Sequence, residues 1–569
     1  SWTLDAILDV NGTLTLGGTS TLNASSSNYT INVGENWSNS GSFIEQSGTV
    51  IFDGTGAQSL TAETFYNLQI NNTVTTPTDT SDVDSSALVT VTNNLTVTDG
   101  QFQPHTASSF KHITIASAGI LKPDSGNILT VSGNWSSSGL FTANTSTVTF
   151  NAASGTQNLT PGGSAFHNLV LNGADPTLTL LGALDINNLL TITDGTLSQG
   201  VYTLNIGGGM TIGASGAFTK AVSGALTFDG SGNLTNSAAS TLNLGDVTID
   251  GASVSVILLN SIAFDTLTIG ANDSFDISNR TVTLTDTGTV LTNNNAFTTT
   301  GSTIIYKPAS ASPTTIGNVT YNHLTLDDSA SGGSVTFTPA ATPLTVGGDL
   351  TVIDGTLSMT TNTANVTGSL VIQTAGTLSA STGTIDVNGS SLNINGSGIL
   401  SFSGAGNLNL YGNFTNQGTF TPNTSTVTLD GLSQTLSGTT GFYNLTKIVT
   451  AARTLTLQDT ATFTVTNNLV LKGTAGNLIT VTSSDSTEKV DFDLVDGAEN
   501  DGISQDLNYL HVIRIDSASG VQMNPLNSTE VASSNVNWNI TGAGASLSWD
   551  GDQGTNWNNP SNWSLGFVP

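Results

Sequence analysis

One stretch of this chain is written three times, and that repetition limits its fold more than any other feature. The fullest copy reads VSGNWSSSGLFTANTSTVTFNAASGTQNLTPGGSAFHNLVLNG from Val131 to Gly173. An earlier copy opens at Val33 as VGENWSNSGSFIEQSGTVIFDGTGAQSLTAETFYNLQINN, and a later one at Tyr411 as YGNFTNQGTFTPNTSTVTLDGLSQTLSGTTGFYNLTK. Trp37, Trp135 and Phe414 are followed six residues on by Phe43, Phe141 and Phe420, and fifteen residues on by Phe52, Phe150 and Leu429. An FYNL-type segment then begins at Phe65, Phe166 and Phe442. Internal copies of this kind mark a repeat architecture, in which each unit buries its apolar face against its neighbours.

Between the copies runs a second unit: NNLTVTDGQF from Asn93, NNLLTITDGTL from Asn187 and GGDLTVIDGTL from Gly347. Thr alternates with Val, Ile and Leu at period two, which is strand patterning, and no segment carries a helical period. Asp-Gly after such a strand supplies the positive φ of a tight turn. Equivalent strands recur at roughly 16–25 residues, the length of one solenoid turn. The expected fold is all-β, an elongated parallel β-helix, right-handed by the usual crossover rule. Tandem β-sandwiches are the alternative, disfavoured by uneven spacing and by the lack of Gly/Pro-rich linkers. In the β-helix, Phe52, Phe150 and Leu429 line the lumen with the neighbouring Thr outward. The FYNL asparagines Asn67, Asn168 and Asn444 are expected at turns in αL geometry, stacked in ladders.

Three regions are expected. Residues 1–480 form the solenoid, and 481–548 are a more acidic β region that continues or caps it. Residues 549–569 are a Trp/Asn/Pro-rich connector. Charged residues are 9% of the chain, and 40 acidic against 10 basic residues give −30. That balance keeps a weakly charged surface soluble and disfavours nucleic acid and anionic membranes as partners. There is no cysteine, which suits an exported protein held by backbone pairing. No apolar run is long enough to cross a bilayer as a helix. Ser1 is not an initiator Met, and the opening SWTLDAILDV lacks the regions of a signal peptide, so the chain reads as a mature or excised piece.

No constellation points to chemistry. Asp327 and Asp328 beside His323 could supply the two carboxylates of a glycoside hydrolase, but a turn after the strand YNHLTL, where Asp is ordinary, is the favoured reading. The basic residues are scattered, so the cation and base of a lyase do not come together. His105, His112, His167, His323 and His511 form no zinc pattern. Asp550 with Asp552, or DGAENDG from Asp496, suit a calcium ion by composition alone. No catalytic residue, metal or cofactor is expected. N-x-[S/T] sequons, among them Asn36, Asn134, Asn413 and Asn562, are as frequent as an Asn-, Ser- and Thr-rich chain makes them by chance. Trp549, Trp557 and Trp563, crowded together near the chain end, are expected to cap the fold or anchor a neighbouring subunit, with Trp2 at the other end.

The GNWSSSGLFTANTSTVTF and FHNL block, the LNYLHVIRIDSASG segment and the closing WDGDQGTNWNNPSNW resemble the large repetitive bacterial surface proteins built from autotransporter-like or filamentous-haemagglutinin-like β-helix repeats. The resemblance implies secretion and surface exposure and transfers no catalytic residue. In those proteins a segment like the closing one begins a unit, and strands like SWTLDAILDVNGTLTL lie downstream of it. The two ends of this chain therefore read as parts of one broken unit, completed either by a second copy or, if the chain is one excised stretch of a longer covalent repeat, by the adjoining sequence. The expected function is a secreted structural protein whose subunits join head to tail in a filament, fibre or surface layer. The alternative is an adhesin or glycan-binding stalk, and a polysaccharide-degrading enzyme is more remote. The expected partner is a second copy, with glycans as a further candidate.

Overall fold

The computed structural model describes residues 1–73, 83–105, 107–238, 242–495, 504–531, 534–542, 548–549, 555, 557 and 562–563. Among these the fold is all-β without an α-helix, and its strands pair in parallel with strands about 21 residues away. That is a β-solenoid. Sandwiches are excluded, because their sheets are antiparallel. The chain forms two compact units, Ser1–Val282 with Asn293–Thr298, and Thr283–Thr292 with Thr299–Pro569.

In the first unit each turn lays down three short strands, one per face. Leu8–Val10 pairs with Ile31–Val33 and that with Thr49–Phe52; Leu14–Leu16 pairs with Trp37–Asn39; Thr21–Asn23 pairs with Ser42–Ile44. Alternation sets the facing. Val148 and Phe150 are buried while Thr147 and Thr149 are half-exposed. Phe52, Phe150 and Leu429 are all fully buried, as lumen residues should be. Each such burial contributes about 1.5–3 kcal/mol. On the outer surface, register aligns Thr64, Thr90, Ser109, Thr130, Thr149, Val170, Thr191, Thr211 and Thr235 in one column. β-Branched side chains pack well side by side on a pleated surface, which is why Thr dominates the outward positions.

The copies of the block are alike inside but do not share a face. Trp37 stacks between Leu14 and Leu60. Trp135 instead lies on the column that runs through Ile113, Leu95, Leu68, Val50 and Ile31. The second copy is thus turned by one face about the solenoid axis.

Two local expectations are corrected. The Asp-Gly pairs do place Gly100, Gly195 and Gly355 at positive φ. Yet they sit inside Val89–Pro104, Leu184–Ser198 and Leu350–Thr360, not in tight turns. There the Asp side chain accepts a bond from the Gly N–H (2.8–2.9 Å) and bends the strand from one face to the next. The FYNL asparagines also lie within strands, Glu63–Asn71, Phe166–Leu180 and Thr440–Ile448, and none has positive φ. Each marks a register shift, where the partner strand carries one residue more. The ladder itself is present three times. Asn67, Asn168 and Asn444 donate to Thr49, Thr147 and Thr426 on one side (3.1–3.3 Å). They accept from Asn93, Asn188 and Asn467 on the other (2.7–2.9 Å).

In the second unit one face runs from Leu344–Val346 through Ala364–Val366, Thr384–Val387, Asn407–Leu410 and Thr426–Leu429 to Thr440–Ile448. Parallel pairing continues beyond residue 480 on two faces, from Val490–Leu494 to Ile515–Asp516 on one and from Leu510–Ile513 to Thr529–Glu530 on another. At one corner of this unit, glycine is required. A Cβ on Gly389 would lie 2.0 Å from the Gly368 oxygen, and one on Gly431 would lie 1.7 Å from the Tyr411 oxygen.

Candidate functional site

The repeated aromatics form three internal clusters. Trp37, Phe43 and Phe65 meet with ring centroids 5.0–6.1 Å apart, Trp135, Phe141 and Phe166 at 4.8–5.1 Å, and Phe414, Phe420 and Phe442 at 5.8–6.2 Å. Edge and tilted contacts suit the ring quadrupoles. The Trp37 indole donates to Glu63 Oε2 at 3.1 Å, and Asn39 donates to the same oxygen at 2.6 Å. Ser164 stands at the Glu63 position of the second copy, and the buried Trp135 indole N–H has no partner there.

Sequence reasoning missed a buried polar lock in each copy. Gln58, Gln157 and Gln434 recur at one position, just before the Leu that precedes the FYNL segment. Each is buried and spans two carbonyls of the previous turn. Gln58 donates to Val33 and Glu35 (both 2.7 Å), Gln157 to Val131 (3.1 Å) and Gly133 (2.8 Å), and Gln434 to Leu410 and Gly412 (both 2.8 Å). The signal was available, as a glutamine held at one place in three copies. In the third copy Lys447 joins the lock, occupying the inward position of Ile70 and Leu171. Its ammonium donates to Gln434 Oε1 (2.6 Å), the Gly431 carbonyl (3.0 Å) and the Leu429 carbonyl (3.4 Å). Burial pushes the Lys447 amine down to about 8, with Arg453 adding to the effect and Asp430 opposing it.

The four expected interface tryptophans fall into two settings. In the second unit Trp549, Trp557 and Trp563 pack on one another, Trp549 stacked on Trp557 at 5.0 Å and Trp563 edge-on to both. The Trp563 indole donates to the Trp557 carbonyl at 2.9 Å. Trp563 is thereby buried, and Trp557 is the exposed member at 57%. In the first unit Trp2 pairs alongside Leu22 and is 61% exposed. It borders a cavity of about 540 Å³ lined also by Leu8, Val10, Leu14, Leu16 and Leu22.

The carboxylates weighed for catalysis are engaged in local structure. Burial raises the Asp327 carboxyl, but the Lys307 ammonium at 2.6 Å and Ser329 outweigh it and hold the group below its ordinary value. Asp328 accepts from the Val335 N–H. His323 turns away, accepting from the Asp349 N–H at 3.0 Å. His105 lies between Asp84 and Asp124. Burial raises Asp124, and hydrogen bonds from His105 and Gln103 bring it below its ordinary value. Among the described residues no group of three His, Cys, Asp or Glu is arranged to hold a metal. Asp496, Asp550 and Asp552 lie outside those residues. No described helix is long and apolar enough to cross a membrane.

No family model, curated protein or solved structure matches this chain.

Proposed function

We propose that the chain is a structural protein of the cell exterior whose copies associate head to tail into a filament, fibre or surface layer. What supports this reading is the parallel ladder itself, in which each turn pairs through its backbone with the next and which a second copy can continue by strand addition. Trp2, Leu8, Val10 and Leu16 are exposed or half-exposed around the 540 Å³ cavity, and Leu14 and Leu22 beside them are buried. Ile31 and Val33, stacked on Leu8 and Val10 in the next turn, are buried. In the proposed contact a strand of a second copy lies parallel on Leu8–Val10 and Leu14–Leu16, pairs with their backbone and covers these side chains. The 549–569 segment of one copy reaches these strands of the next, with Trp557 as the exposed anchor. Such a contact repeats without closing, and so it extends a polymer. The uncharged Thr and Asn ladders and the absence of cysteine suit an extracellular setting.

Electron microscopy and light scattering of the 569-residue protein test the reading. Fibres that shorten or vanish when 549–569 is deleted, or when Trp2 is changed to Ala, are expected. A protein that stays monomeric at high concentration overturns it. Fibres unaffected by the deletion overturn the proposed contact while leaving polymerisation standing.

A further inference from the structure

We propose that a corner groove in the second unit binds a neutral oligosaccharide. The groove encloses about 420 Å³ and crosses three successive turns, from Asn388 through Tyr411 to Leu432 and Ser433. Its floor is Gly389 and Gly412. A Cβ at these positions would lie 2.0 Å and 2.2 Å from backbone atoms of the preceding turn, so backbone packing itself keeps the floor bare.

Tyr411 and Leu432 stand beside this floor, 44% and 52% exposed. The solenoid does not need them: Gly34 and Ser132 occupy the Tyr411 position in the other two copies. An exposed phenol ring offers an apolar face for the C–H side of a pyranose and a hydroxyl for its edge. The amides beside it have complementary groups to spare. Asn413 Oδ1 accepts from the Thr435 N–H at 2.8 Å, which leaves its NH₂ as donor. Asn388 donates its NH₂ to Asp386 at 2.9 Å, which leaves its oxygen as acceptor. A donor and an acceptor lining the same groove as an aromatic platform match vicinal hydroxyls, each of which gives and takes a hydrogen bond.

Charge narrows the ligand further. Every residue lining the groove is uncharged, and the Asp386 carboxylate next to it already accepts from the Asn388 amide. The chain carries −30 overall, which repels polyanions such as polyuronates. A neutral glycan satisfies both conditions. The site does not depend on polymer formation.

Isothermal titration of the full chain with triacetylchitotriose, cellotriose, maltotriose, trigalacturonate and a glucosamine trimer tests the proposal. At least one of the first three is expected to bind at roughly millimolar strength. Tyr411→Ala should weaken that binding about tenfold or more, and Tyr411→Phe should largely keep it. Leu432→Ala provides a second variant at an exposed position, expected to weaken binding less. Three outcomes overturn the proposal: no heat from any neutral trimer at roughly 10 mM, binding by charged trimers only, or neutral binding unchanged in both Tyr411→Ala and Leu432→Ala.

Discussion

The lock behind Gln157 and the lock behind Gln434 answer one geometric demand in different ways. In both, a corner leaves two buried carbonyls facing inward, and a glutamine amide bridges them. In the second copy the glutamine oxygen takes only a long bond from the Ala152 N–H at 3.4 Å, and the neighbouring inward position is Leu171. The third copy puts a lysine at that position and feeds the same oxygen from an ammonium. In the first copy a neutral donor, Asn72, does this at 2.8 Å. The demand comes from the backbone, since a buried carbonyl without a donor costs about 1–3 kcal/mol. How the remaining oxygen is served is free to drift. A cation is admitted where enough oxygens surround it.

The largest effect tests whether the copies are equivalent at their most buried point. Phe150→Ala should cost roughly 3–5 kcal/mol and Leu429→Ala roughly 2–5 kcal/mol. Hydrogen exchange of the flanking strands reads each locally, since a solenoid opens in parts. A cost below about 1 kcal/mol at either site would break the equivalence.

Next comes the lock. Gln157→Ala strands two carbonyls, while Gln434→Ala strands two and removes an oxygen from a buried ammonium. The expected costs are about 2–4 kcal/mol for the first and 1–2 kcal/mol more for the second. Equal costs would mean that Lys447 finds another partner.

A pH series isolates the lysine. Its amine lies near 8 in the folded chain and at 10.5 when exposed. The unfolded chain therefore holds the extra proton between those values, and local stability should rise as pH increases from about 8 to 10.5. The gain is at most about 3 kcal/mol. Lys447→Met should abolish this dependence in the strands around residues 426–448. A flat profile in the parent protein would contradict the assignment.

The smallest difference concerns the indoles. Glu63→Ala deprives the Trp37 and Asn39 donors of their acceptor and should cost about 1–2 kcal/mol. Ser164→Ala removes only a 3.0 Å contact from the Phe141 N–H and should cost less. Denaturant midpoints for the two variants rank them.

Much of this was legible because strand alternation and stacking share one period. Phe52, Phe150 and Leu429 fall inward wherever the pattern is read, and the aromatic spacing marked the copies without showing that their rings meet. The FYNL asparagines were misplaced because a bulge looks like a turn in sequence. The doubled Asn93–Asn94 and Asn467–Asn468 supply the extra residue on the partner strand. Lys447 was missed for the opposite reason. Alternation in NLTKIV puts it inward, and charge argues that it cannot be there. The tryptophans were grouped correctly near the chain end, but only contact geometry distinguishes the buried Trp563 from the exposed Trp557.

The quarter in which a copy points follows from how many turns separate it from the last. Trp37 and Trp135 lie on different faces, and so do the ladders built on Asn67 and Asn168. The arrangement is that of leaves on a stem, where successive blades shade one another least. Duplicating such a block adds length without piling its aromatic cluster and its asparagine ladder onto one flank.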